Sequence, residues 1–231
     1  MGRKGLWSGH HELKGKRIKQ LSVFTTTVAC TTHDNEAYVW GDCTAFGLGY
    51  RPYRVVTPTK LDRKVCVIEV GRNHALMLDE ANDVYSIGVN DWGKLGLGDE
   101  TRRSTWTKVT GLDGERVIKI QCGAHCSAIL TDRGLYAMGA QLFGAANEHR
   151  NTPTKIKLEN VIDISLKYFH ILAKTRTGVF AWGWNLEGRC GVDSNEDQIE
   201  APTRVQVPDE FVVLDISAGC THSILKCKLK K

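Results

Sequence analysis

Three histidines occupy one recurring position in this chain. His74, His170 and His222 each stand between two short apolar stretches. Imidazole is the side chain best suited to proton transfer or metal ligation near neutral pH. A shared place in a repeat, however, sets the three at equivalent and separated points. Thr27 and Cys126 fill the same place in two other copies, an exchange that a required ligand would not tolerate. The histidines are therefore expected to bridge strands by hydrogen bonds through both ring nitrogens. His125 beside Cys126 has no third, orienting partner in sight and does not read as part of a nucleophile. The eight cysteines (Cys30, Cys43, Cys66, Cys122, Cys126, Cys190, Cys220, Cys227) contain no C-x-x-C pair and are too sparse for a secreted disulfide scaffold. They read as small apolar residues of sheet cores in a reducing compartment. No catalytic residue, cofactor or metal site is expected, and no enzyme activity.

The glycine-rich stretch Gly93-Lys94-Leu95-Gly96-Leu97-Gly98 lacks the Gly-Lys-Ser/Thr ending of a phosphate loop, and no helix pattern follows it. Its glycines are expected to supply positive φ and close backbone approach between repeats. Asp42, Asp91, Asp99 and Asp193 read as turn residues. Trp92 stands in the polar loop Asn90-Asp91-Trp92-Gly93, where a large aromatic suits an interface anchor. Trp182 is expected in the core, whereas Trp184, just past Gly183, is expected to point into a loop. Trp92, Trp184, Arg102 and Arg103 are the candidate partner-binding residues.

What must position these groups is a repeat. An apolar strand ending in glycine recurs at Gly41, Gly88, Gly139 and Gly183, with spacings of 47, 51 and 44 residues. The runs are short, β-branched or aromatic, and bounded by turn residues, which argues strands. Before each glycine lies a two-stranded unit, as in Val67–Leu78, Ile118–Leu130, Ile162–Leu172 and Leu214–Leu225, with Ile18–Thr32 the poorest copy. Units of about 40–50 residues with several strands are the size of propeller blades. The fold expected is an all-β propeller of about five blades in a single domain, residues 1–231. Gly5-Leu6-Trp7-Ser8-Gly9 resembles a strand without its upstream partners, and 211–227 resembles the upstream partners without that strand. Pairing of the two is expected to close the ring. The polar stretches Asp79–Asp83, Glu148–Asn151 and Asp193–Glu200 are expected to be surface loops.

The pattern G-x-x-H-x-x-x-L, a strand ending in glycine, G-x-L-G-L-G-D and then P-x-x-V resembles the repeat of the regulator of chromosome condensation family, over about residues 18–226. Val84–Val109 carries the full glycine turn; Phe46–Gly49, Phe143–Ala146 and Cys190–Asp193 depart from it. Trp182-Gly183-Trp184, with Gly188, Cys190 and Gly191 after it, is similar to the last blade of the killer-toxin-insensitivity propellers and their animal exchange-factor-like relatives. That likeness implies a binding protein that pairs with a small metal-binding electron carrier in wobble-uridine modification of transfer RNA and in diphthamide synthesis. The founding member of the wider family implies an alternative, guanine-nucleotide exchange on a Ran-type GTPase at chromatin. The connectors here are short for the protruding wedge that such exchange uses. A structural subunit of a large assembly is a further alternative.

The net charge of +5 is uneven. Lys4, Lys14, Lys16, Arg17 and Lys19 crowd one end, and Lys226, Lys228, Lys230 and Lys231 the other. If the ends meet they form one basic patch toward nucleic acid or an acidic surface. No apolar run approaches the ~20 residues of a membrane span, and the first residues lack the apolar stretch of a secretory signal. A monomer that is cytoplasmic, nuclear or both is expected.

Overall fold

The computed structural model describes residues 10–43, 55–143 and 148–230. Each repeat forms an antiparallel meander. The first blade contains β1 (Ile18–Phe24), β2 (Thr27–Thr32), β3 (Glu36–Gly41) and β4 (Val55–Lys64); the second, β5 (Val67–Val70), β6 (His74–Leu78), β7 (Val84–Gly88) and β8 (Arg103–Lys108). The third contains β9 (Val117–Cys122), β10 (Cys126–Thr131), β11 (Gly134–Ala140) and β12 (His149–Lys155); the fourth, β13 (Val161–Lys167), β14 (His170–Thr175), β15 (Val179–Trp184) and β16 (Gln198–Arg204). The last sheet has two strands among the described residues, β17 (Phe211–Ala218) and β18 (Ser223–Leu229). The propeller reading holds.

Burial explains the strand patterns. β6 and β10 are buried along their whole length, because a second strand is covered by a neighbouring blade on each face. Such strands read as continuous apolar runs rather than alternation. The first strands of successive blades abut one another (β1 with β5, β5 with β9, β9 with β13, β13 with β17), so they lie innermost. No backbone ladder joins them. Side chains bridge the gap: Ser22 Oγ accepts from Val70 N at 3.0 Å, Gln121 Oε1 from Leu166 N at 3.3 Å, and Ser165 Oγ from Ala218 N at 2.9 Å. These three occupy one register position and satisfy amides that would otherwise be buried without a partner.

Two expectations are corrected. Part of Glu148–Asn151 and of Asp193–Glu200 is strand, since β12 starts at His149 and β16 at Gln198. The outer strand has a solvated side and can be polar without ceasing to pair, which hid it; Ile199 within it is buried. The buried histidines also bridge strands through one ring nitrogen rather than both: Nε2 of His74 and of His170 reaches the next blade, whereas Nδ1 of each has no hydrogen-bond partner among the described residues.

The proposed closing strand at Gly5-Leu6-Trp7 lies outside the described residues, as does Phe46–Gly49. Among the described residues, the outward face of the first blade carries Leu21, 60% exposed, and Val23, 44% exposed. Their repeat equivalents Ile68, Ile120 and Ile164, and Val70, Cys122 and Leu166, are all buried. Ile224 on β18 is likewise 56% exposed, where Leu76 and Leu172 are buried. No helix among the described residues is long and apolar enough to cross a membrane.

Candidate protein-binding face

In a four-stranded meander, the first turn and the third connector emerge at one end of the blade, and the middle turn and the linker at the other. The first end carries the glycine-rich connectors. Asn90 organises the best of them. Its Oδ1 accepts from Leu95 N at 2.8 Å and its Nδ2 donates to Asp99 O at 2.8 Å, tying together both arms of the turn. Asn185 does the same in the fourth blade, accepting from Cys190 N at 3.1 Å and donating to Glu196 O at 2.9 Å. Asp99 accepts from Thr101 N and pairs with Arg103, as a turn residue should. Gly93 has φ 70°, and a Cβ there would lie 2.4 Å from Asn151 Cα of the next blade, so both roles expected of the glycine meet in this residue.

The repeated histidine welds one blade to the next. His74 Nε2 lies 2.8 Å from Ser127 Oγ of the third blade, and Ser127 Oγ donates to Lys94 O at 2.9 Å. The hydroxyl proton is thus used, so the imidazole Nε2–H must be the donor to serine. His170, Ser223 and Arg189 O repeat the relay at 3.0 and 2.7 Å. Burial holds His74 well below the usual imidazole range and lowers His170 to about 4, so both rings are neutral at pH 7. Thr27 is followed across its interface by Ala75, and Cys126 by Ile171, so where the histidine is missing its serine is missing too. Among the described residues no group of three or more His, Cys, Asp or Glu could hold a metal ion.

Around the inner turns of the same end runs an aromatic chain. Phe24 and Tyr168 have ring centroids 4.8 Å apart, Tyr168 and Phe169 5.8 Å, and Phe169 and Trp184 4.6 Å. His125 stacks on Phe169 at 5.6 Å. Lys167 lies over the Phe24 ring, 4.6 Å from its centroid, and donates to Val23 O, so the fourth blade touches the first at this end.

The candidate residues fall as follows. Trp92 is 41% exposed, holds the left-handed φ of 65°, and packs edge-on against His149 at 5.6 Å, whose Nε2 is 2.8 Å from Glu100. Trp184 is half-buried in the aromatic chain, so Trp92 and Trp184 belong to separate clusters on one end of the molecule. Arg103 spends its guanidinium within the turn, on Asp99 Oδ2 and Thr101 O, both at 2.6 Å. Arg102 is half-buried and has a partner within the chain. Trp182 is fully buried, donating from Nε1 to Leu142 O at 3.3 Å. Sequence reasoning missed Asn90 and Asn185, whose signal was an asparagine two residues past the strand glycine in both the second and the fourth blade. It also missed Tyr168 and Phe169, which carry no repeat signature.

Comparison with known proteins agrees with this geometry. The model of the regulator of chromosome condensation (RCC1) repeat matches residues 82–130 and 178–225. The ultraviolet-B receptor UVR8 of Arabidopsis thaliana is 31% identical over 92% of this chain, and the chain spans about half (51%) of that protein. The mouse serine/threonine-protein kinase Nek9 is 27% identical over 91% of the chain, which covers 22% of Nek9. Among solved structures, Prp20p of Saccharomyces cerevisiae superposes with a TM-score of 0.84 at 20% identity, over 94% of this chain and 57% of that one. Human WBSCR16 superposes with a TM-score of 0.58 at 21% identity, over 91% and 72%. The interlocked blades, the asparagine-tied glycine turns and these matches agree: the chain belongs to the RCC1-like repeat family of β-propellers.

Proposed function

We propose that this chain works by binding another protein through the end that carries the glycine-rich connectors, and that it performs no chemistry of its own. The observation that carries this reading is Trp92. A large aromatic is held half-exposed on a rigid turn whose left-handed φ is shared by the equivalent Glu187 of the fourth blade, so the turn sets the backbone and the exposed ring is what suits a partner. Trp184, Phe169 and Tyr168, a separate cluster at the same end, supply further rigid aromatic surface.

Two partners follow from different observations. The Trp182-Gly183-Trp184 stretch supports the accessory role with a small metal-binding carrier in transfer-RNA modification and diphthamide synthesis. Packing accounts for two of its residues, since Trp182 is core and a Cβ on Gly183 would lie 2.4 Å from Phe169 O. Of that stretch Trp184 is left to carry the likeness, with Gly188, Cys190 and Gly191 after it. The fold likeness to Prp20p, whose structure is described together with its binding to Gsp1p and histones, supports a small GTPase as partner. Affinity capture from cells with mass spectrometry separates them. Recovery of a small metal-binding protein supports the first, and nucleotide release from a Ran-type GTPase well above background supports the second. Recovery of no protein by wild type that a Trp92→Gly variant fails to recover removes the binding reading.

A further inference from the structure

The opposite end of the blades repeats a groove, formed by the middle turn, the end of the fourth strand and the linker to the next blade. In the second blade Asp83, Asp113 and Glu115 face Lys108 and Arg116. In the third, Asp132 and Glu159 face Arg133, Lys155 and Lys157. Both are close to balanced. The groove between the fourth and last blades is not. Lys174, Arg176, Arg204, Lys228 and Lys230 line it against a single carboxylate, Asp209.

The difference is built into one register position. Lys108, Lys155 and Arg204 are equivalent residues of the fourth strands. Lys108 is paired with Asp83 at 2.7 Å, and Lys155 lies over the Tyr136 ring, 5.9 Å from its centroid. Arg204 donates to Thr177 O at 2.9 Å, and its guanidinium lies flat over Gly178, where a Cβ would be 3.1 Å from Cζ. It is thereby fixed in place with its charge uncompensated. Lys174 is held by Leu214 O at 2.7 Å, also a neutral group. Lys230 N donates to Glu210 O at 2.7 Å, and β18 sets Lys228 opposite Val212, which brings both lysines to the groove wall. None of the five cations forms an ion pair among the described residues.

We propose that this groove, of about 610 Å³, is a docking site for an acidic peptide segment of a partner protein. Charge complementarity sets the sign of the occupant. The lining includes Ile162, Val212 and Leu214, all substantially exposed. With Phe211 as its one aromatic, the lining offers mainly aliphatic contacts and suits aliphatic side chains between acidic ones, rather than the run of aromatic platforms on which successive bases of a nucleic acid stack. The site is independent of the glycine-connector end and stands whether or not that end binds protein.

The test is fluorescence anisotropy of the full chain with a labelled peptide of alternating Asp/Glu and Leu residues at low and physiological salt. The wild type is expected to bind, and a double variant Arg176→Glu, Lys228→Glu to lose tenfold or more, with unchanged circular dichroism. Both side chains are exposed, so folding is not at stake. Lys157→Glu in the equivalent third-blade groove should leave affinity within twofold. Absence of binding, an equal loss with Lys157→Glu, or tighter binding of a single-stranded oligonucleotide that the double variant also abolishes would each overturn the proposal.

Discussion

At the scale of single residues, chemical type and role part company. His74 and His170 looked like ligands or catalysts by type and prove to be buried donors to a serine of the next blade. Removing either partner of the His74–Ser127 pair leaves a buried polar group, at a cost of about 1–3 kcal/mol. A double-mutant cycle with His74→Ala and Ser127→Ala in urea should show a coupling of about 1 kcal/mol; additivity would break the relay. For His170 the folded value near 4 lies below the usual imidazole value of 6.5. A ring depressed in this way gives stability that is complete above pH 6.5 and is lost as the pH falls toward 4. The loss approaches about 3 kcal/mol, and His170→Gln should flatten it in pH-dependent unfolding. Trp92 behaves in reverse. With φ at 65°, Trp92→Gly should leave stability unchanged or raise it by about 0.5–1 kcal/mol while abolishing partner capture; a loss of stability would show that Trp92 is structural.

At the scale of elements, the second strands were easiest to read, because burial on both faces leaves an unbroken apolar signal, as in His74–Leu78 and Cys126–Thr131. The fourth strands were hardest. His149–Lys155 and Gln198–Arg204 have one solvated side, and their polar residues mimic loops. The side chains linking innermost strands were invisible, since Ser22, Gln121 and Ser165 share a position but no chemistry beyond an acceptor oxygen. Glu69 stands at that same position, accepts from Ser22 Oγ at 2.9 Å and Gln20 Nε2 at 2.6 Å, and is pushed by burial up to about 7. A carboxyl raised in this way favours the folded state below pH 4.5, and that advantage is lost as pH rises through 7. Glu69→Gln should therefore gain stability on wild type across this window, read from urea midpoints at pH 5 and 8; a constant difference would contradict the buried charge.

At the scale of the whole molecule, the propeller was legible from the spacing of four glycines, whereas the state of its two ends was not. The pairing proposed for ring closure involves residues outside those described, and the described ends show apolar faces. Leu21→Ser should change stability by no more than about 0.5 kcal/mol if that face is open in solution, against about 2–5 kcal/mol for Ile68→Ala at the equivalent buried place. A Leu21 cost as large as that of Ile68 would show the face to be covered. The binding face was half legible: Trp92 and Trp184 stood out by type, while the aromatic chain through Tyr168 and Phe169 arises from blades meeting across the inner turns. Hydrogen–deuterium exchange on the full chain, alone and with its captured protein partner, addresses binding through the glycine-connector end most directly. The account predicts slowed exchange at residues 90–99 and 184–191 and little change at the middle turns, 79–83 and 131–134. Protection confined to the middle turns, with the connectors unchanged, would contradict it.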